Sequence, residues 1–198
     1  MKFLKLITPL FLCLSSPLVL VSCGGGELTK EQKEEQFNVA ERAIIAQPFL
    51  NNATNELNKL EQEINKSIDK SKTIEEIKKQ IVTKLELSKS VSLVMGEAMW
   101  YYNNILHKDN NLPLNEEKSR LEKTQNDFIS NEIKELEKIV SNTESDETKK
   151  KESLELYNSN LKTKIGIEKL KVSLNNANNS ILQLNDIIEG YKNEKNKQ

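Results

Sequence analysis

Few residues in this chain have types and spacing suited to chemistry. The only thiols are Cys13 and Cys23, and the only imidazole is His107. His107 stands in "HKDNNLPL", residues 107 to 114, beside Asp109, Asn110 and Asn111. Those are oxygen and nitrogen donors, but no second histidine or nearby cysteine supports a transition-metal site. The stretch also lacks the spaced Asp, Gly and final Glu of an EF-hand loop. A Ser-His-Asp triad would rest on that one histidine. No P-loop, GxGxxG or HExxH pattern occurs. The 30 acidic residues offer many carboxylate pairs, nearly all at helical surface spacing, where ion pairs with lysine are the default. No catalytic residue, metal ligand or cofactor site is therefore expected, and the chain reads as non-enzymatic.

Two lysine clusters suit anion binding rather than catalysis. They are Lys149, Lys150 and Lys151, and the tail with Lys192, Lys195 and Lys197. Anionic lipid headgroups or sulfated polysaccharide would match such cations. Glu147 and Glu152 flank the first cluster and Glu194 interrupts the second, as solvated helix ends also do.

The remaining reactive group is Cys23, and its setting is specific. Lys2 and Lys5 form a basic start, and Leu6 to Val21 is almost wholly apolar, broken by Thr8, Pro9, Ser15, Ser16 and Pro17. That order matches a secretory signal peptide. A spanning helix needs about 20 apolar residues, and this run is shorter and carries two prolines. Leu20-Val21-Ser22-Cys23 then resembles the lipobox of bacterial lipoproteins. The resemblance covers the signal region alone. It implies that residues 1–22 are removed and that Cys23 becomes a first residue bearing diacylglyceryl and acyl chains. Two or more chains give stable membrane anchoring where one gives marginal binding. Gly24, Gly25 and Gly26 make a tether, and residues 23–28 reach at most about 20 Å when extended. The expected location is a lipid-anchored position outside the cytoplasm, on the cell membrane or an outer membrane.

Removing 22 residues from 198 leaves 176, enough for one domain with a core. Lys+Arg falls from 29 to 27 with Lys2 and Lys5, Asp+Glu stays at 30, and the mature net charge is −3. Arg42 and Arg120 are the only arginines, and no bulk basic field exists to attract nucleic acid. Cys23 is the only cysteine left after processing, so no intramolecular disulfide forms and the fold must rely on packing. Glycine and proline are scarce beyond the tether, which argues against many short strands.

The elements that would carry any binding surface are helices. Thr29 with Gln32, and Thr73 with Glu76, read as capping boxes. Phe37, Ala40, Ile44 and Ile45 follow the first box, and Pro48 ends or kinks that helix. Leu50, Ala53, Leu57, Leu60, Ile64 and Ile68 form the next apolar stripe. A longer stripe runs from Ile74 through Ile81, Leu85, Val91, Met95, Ala98 and Tyr102 to Ile105. After the turn at 107–114, Asn115 is a candidate cap for a helix carrying Leu121, Phe128, Ile129, Ile133, Leu136 and Val140. "SNTESDET", residues 141 to 148, is a polar link, and a last helical pattern runs from about 149 to 191 with a bend expected at Gly166. Its second half keeps three-four alternation, which leaves a dimeric coiled coil and packing within the same chain both open, and a span under three heptads favours the second.

These stripes predict an all-α fold: an elongated antiparallel bundle of four or five helices, some long, over residues 29–192, with a polar tail at 193–198. In "VSLVMGEAMWYY", Val91, Met95, Ala98 and Tyr102 share one face, while Leu93, Gly96 and Trp100 form a second. The second face fits either a central, doubly covered helix or a contact for a partner, since tryptophan is enriched at binding hot spots. In plan and composition the chain resembles the small all-helical surface lipoproteins of host-associated bacteria such as spirochaetes or mollicutes. The likeness implies an adhesin or host-interaction protein that binds an unidentified protein or polysaccharide. An envelope-internal structural or accessory lipoprotein is the alternative.

Overall fold

Helix starts and stops are written locally, and the structure, a computed structural model, uses most of the expected ones. It describes residues 29–106 and 113–196. Among them are six α-helices and no strand: α1 (Lys30–Ile44), α2 (Gln47–Ile64), α3 (Ile74–Leu106), α4 (Leu114–Ser141), α5 (Glu147–Ile165) and α6 (Ile167–Lys195). Both capping boxes close. Thr29 N–H donates to Gln32 Oε1 (2.9 Å) and Gln32 N–H to Thr29 Oγ1 (3.2 Å). Thr73 N–H donates to Glu76 Oε2 (2.9 Å) and Glu76 N–H to Thr73 Oγ1 (3.3 Å), so two orphan donors are satisfied at each start.

Pro48 lies in the first turn of α2, where its missing N–H costs no helical bond. Gly166 is the one described residue with positive φ (78°). Its N–H donates to the carbonyls of Lys162 and Thr163 (both 3.1 Å), and its own carbonyl starts α6 by accepting from Lys169 and Leu170. The expected bend is thus a left-handed cap that stops one helix and begins the next. Asn115 is not the cap of α4. The helix begins at Leu114, and the Pro113 carbonyl accepts from Glu116 and Glu117 N–H (3.0 Å each) without a side-chain cap. The proline ring fixes φ, here at −52°, and a ψ of 142° gives Pro113 the non-helical conformation of a cap position. α5 begins earlier than the apolar pattern suggests, because Asp146 caps it by accepting from Lys149 N–H (2.8 Å).

The six segments form four rods. α1 and α2 are parted by two residues and α5 and α6 by one. Contacts between the first and last rods run in reverse order: Lys33 with Glu194, Phe37 with Tyr191, Gln47 with Asn178 and Glu61 with Lys171, and Lys70 in the loop after α2 continues the order with Glu155. α3 returns against α2, pairing Phe49 with Tyr101 near one end and Ile64 with Lys84 near the other. α4 returns against α3, pairing Glu97 with Lys118 and Lys89 with Glu122. The result is the antiparallel helical bundle that the stripes predict. At 33 residues, α3 is about 50 Å long.

One apolar cluster fills the bundle from Ala40 to Ile188. Leu57, Leu60, Ile77, Ile81, Leu85, Met95, Leu136, Leu154, Leu161 and Ile167 are among its fully buried members. The second half of α6 spends its stripe here: Leu174, Ala177, Ile181, Leu184 and Ile188 are buried within the chain. α3 ends at Leu106, shortly past Tyr101, whereas α1 and the last turns of α6 continue as a pair through Phe37, stacked on Tyr191 at 4.7 Å.

Candidate functional site

Three groups of sequence-predicted residues lie outside the described residues: Cys23, the His107 turn with Asp109, Asn110 and Asn111, and Lys197. The other candidates can be placed. Gly96 of α3 is buried beneath α4, where an added Cβ would collide with Leu121 Cδ2. The missing side chain lets the two helices approach, and the flanking pairs Glu97–Lys118 (3.0 Å) and Lys89–Glu122 (3.9 Å) bracket that approach. Leu93 and Trp100 are half-buried on the same side. Trp100 meets Tyr101 edge-on at 5.2 Å, and Tyr101 stacks on Phe49 of α2 at 3.9 Å. The second apolar face of α3 therefore faces α4, with part of Leu93 and Trp100 left to solvent.

The lysine cluster at the start of α5 is divided. Lys151 pairs with Glu147 (3.0 Å) and donates to the Lys70 carbonyl (3.3 Å), tying α5 to the loop between α2 and α3. Lys149 and Lys150 have no side-chain partner among the described residues, but Glu147 stands in the same turn. At the other end Lys195 lies 5.4 Å over the Tyr191 ring.

Sequence periodicity missed the buried polar groups. Lys84, 9% exposed, sits in the α3 stripe between Ile81 and Leu85. Its ammonium donates to the Lys66 carbonyl (2.6 Å), Asn158 Oδ1 (2.7 Å) and the Ile64 carbonyl (3.4 Å). Ile64 ends α2 and Lys66 lies two residues beyond it, so a cation from α3 caps the negative end of the α2 dipole and joins both helices to α5. Burial pushes the Lys84 ammonium below its ordinary range, partly opposed by Glu63.

A second knot joins α4 to α5. Tyr157 OH donates to Glu132, which also accepts from Lys164 (2.9 Å). Lys164 reaches Glu135 as well (2.6 Å) and lies 4.8 Å over the Tyr157 ring. Burial first, and then the Glu132 carboxylate, push the Tyr157 phenol well above its usual range. A third, more exposed knot spans the Gly166 bend. Lys162 bonds Glu61 (2.7 Å) and Glu168 (2.8 Å), and Lys171 also reaches Glu61. The hydrogen bonds that its ammonium donates to Glu168 and Glu61 raise Lys162 to about 12.

In the second and third knots acid and base are joined to one another across helices, whereas Lys84 is held by carbonyls and an amide. No buried side-chain nitrogen or oxygen among the described residues lacks a partner. What the arrangement does chemically is cross-link rods. Among the described residues, no group of three or more His, Cys, Asp or Glu is placed to hold a metal. An open hollow lies along α1, lined by Glu31, Glu34, Glu35, Glu41 and Arg42 among others. No described helix is long and apolar enough to cross a membrane.

The outer seam between α2 and α6 differs from the rest of the surface. Gln47 donates to Asn178 Oδ1 and Asn178 donates to Thr54 Oγ1, both at 3.2 Å. Around these amides, residues 43–55 and 172–185 contain no charged side chain, in a chain that is 30% charged. The chain matches no protein-family model, no curated protein and no solved structure.

Proposed function

We propose that this protein is a lipid-anchored lipoprotein of the bacterial cell envelope, displayed outside the cytoplasm, whose helical body binds a partner through its surface and carries out no chemistry. The observation that supports this most directly is the order of the first 26 residues: Lys2 and Lys5, an apolar run, Leu20-Val21-Ser22-Cys23, then three glycines. The acyl chains on Cys23 supply the membrane partner. The bundle supplies a stable body close to the bilayer, since the tether reaches at most about 20 Å. The use of buried acid–base groups as cross-links between helices favours a binding scaffold over an enzyme. Host protein or polysaccharide is the partner class that surface display favours.

Protease treatment of intact cells tests the display. Loss of the protein from intact cells, with an envelope-internal control protein preserved, is expected. Survival of the protein until the envelope is broken contradicts surface display. It would assign the bundle to an accessory role inside the envelope.

A further inference from the structure

We infer that the charge-free seam between α2 and α6 is a self-association surface, and that a second copy of this chain is its occupant. Two stretches far apart in sequence, 43–55 and 172–185, are set side by side by the bonds that join Gln47, Asn178 and Thr54. Outward from that line, Asn51, Asn55, Asn175 and Asn179 are exposed, with Val172 and Leu182 at 58% and 59% exposure. Charge returns at both limits. Arg42 and Asp186 stand beyond one, and the Glu61–Lys171 pair beyond the other.

The occupant follows from charge and shape. A two-fold dimer brings the same patch of both copies together. On most of this surface that would set charge against like charge, which costs affinity. Along the seam it does not. Each amide carries donor and acceptor groups, so a row of asparagines complements its own copy. Two helices side by side present ridges and a groove that suit another such pair, and Val172 and Leu182 add apolar contact. A neutral glycan would also accept amide bonds, but it would find no exposed aromatic ring among the seam residues to stack on. Fourteen residues of α6 span about 20 Å, and two helices about 10 Å apart give roughly 400 Å² per copy. That is about half of a standard interface, so the association belongs to the weak, concentration-dependent class.

The test uses the chain from Gly24 to Gln198, which contains no cysteine and holds the whole described core. Sedimentation velocity from about 10 μM to about 1 mM should show a monomer–dimer equilibrium, the regime of small interfaces. The exposed pair Asn55→Lys/Asn179→Lys should weaken it at least about tenfold, through like charges across the interface. Asn55→Asp/Asn179→Asp should do the same, and an equimolar mixture of the two variants should restore association. Asn51→Lys/Asn175→Lys with its Asp counterpart repeats the experiment should either first variant lose helicity. A chain that stays monomeric throughout, or a mixture that associates no better than its components, overturns the proposal. So does saturable binding of a neutral polysaccharide at this seam by a chain that remains monomeric.

Discussion

Lys84 occupies a core position by satisfying three acceptors at once: two carbonyls at the end of α2 and the Asn158 amide. Its replacement by methionine keeps most of the volume but removes the ammonium from all three, and the Lys66 carbonyl keeps only the long bond from Asn158 Nδ2 (3.4 Å). Lys84→Met should lower unfolding free energy by about 3 kcal/mol, the cost of stranding buried polar groups, as read from urea denaturation. A loss within the scatter of surface substitutions, about 0.5 kcal/mol, would show that the contact is incidental. Tyr157 gives a pH-dependent counterpart. Its phenol is raised by burial and by Glu132, so the folded chain keeps a proton that the unfolded chain loses near pH 10. Its contribution is present below that pH and is lost as pH rises further. Tyr157→Phe should cost about 1 kcal/mol at pH 7 and show a shallower decline above about pH 10 than the parent. Equal slopes would place the alkaline sensitivity elsewhere. Neither Lys84 nor Glu132, the acceptor of Tyr157, announces itself in the sequence, since a lysine or a glutamate between apolar neighbours looks like the solvated edge of a stripe. Only the crossing of α2, α3 and α5 makes Lys84 internal, and that is a long-range fact.

At the scale of elements, periodicity and local stop signals carried most of the information. The stripe from Leu50 to Ile68 is buried throughout, and both Thr-led boxes form the reciprocal bonds their spacing implies. In α4 the same reasoning was weaker. Leu121, Phe128 and Ile133 are half-buried, while Gln125 and Glu132 are buried, because α4 is an outer rod gripped along polar seams. The two-faced stretch of α3 was legible as such, but which neighbour covers Gly96 depends on the return path of α4. Gly166 and Gly190 separate two uses of glycine. Gly166 sits at φ 78°, where a Cβ is strained, so Gly166→Ala should destabilise by about 1–2 kcal/mol. Gly190 lies within α6 with nothing within 4 Å of an added Cβ. Gly190→Ala should stabilise by about 0.5–1 kcal/mol. Thermal denaturation of the two variants should shift in opposite directions. A shared direction would mean that the bend at Gly166 is not a fixed joint.

On the scale of the whole molecule, four rods share one core, and polar and ionic knots pin each rod to another across the seams. α1 and the end of α6 prolong two of those rods past the last described turn of α3. Such a body is long, closed by side-chain pairing and rich in surface relative to its volume, which suits binding by a face rather than in a pocket. The proposed anchor sets where that surface works. With a tether of about 20 Å at most, α1 would begin close to the bilayer, and two anchored copies would share a thin layer in which a weak seam contact gains from high local concentration. All of this depends on the sulfur of Cys23. The most direct measurement is the intact mass of the protein purified from its own membranes, with tandem mass spectrometry of its first peptide. The expected result is a chain that begins at Cys23 and carries a diacylglyceryl group, and the Cys23→Ala variant should lose both the lipid mass and that cleavage. A wild-type chain that keeps residues 1–22, or begins at Cys23 with a free thiol, would contradict the lipoprotein assignment.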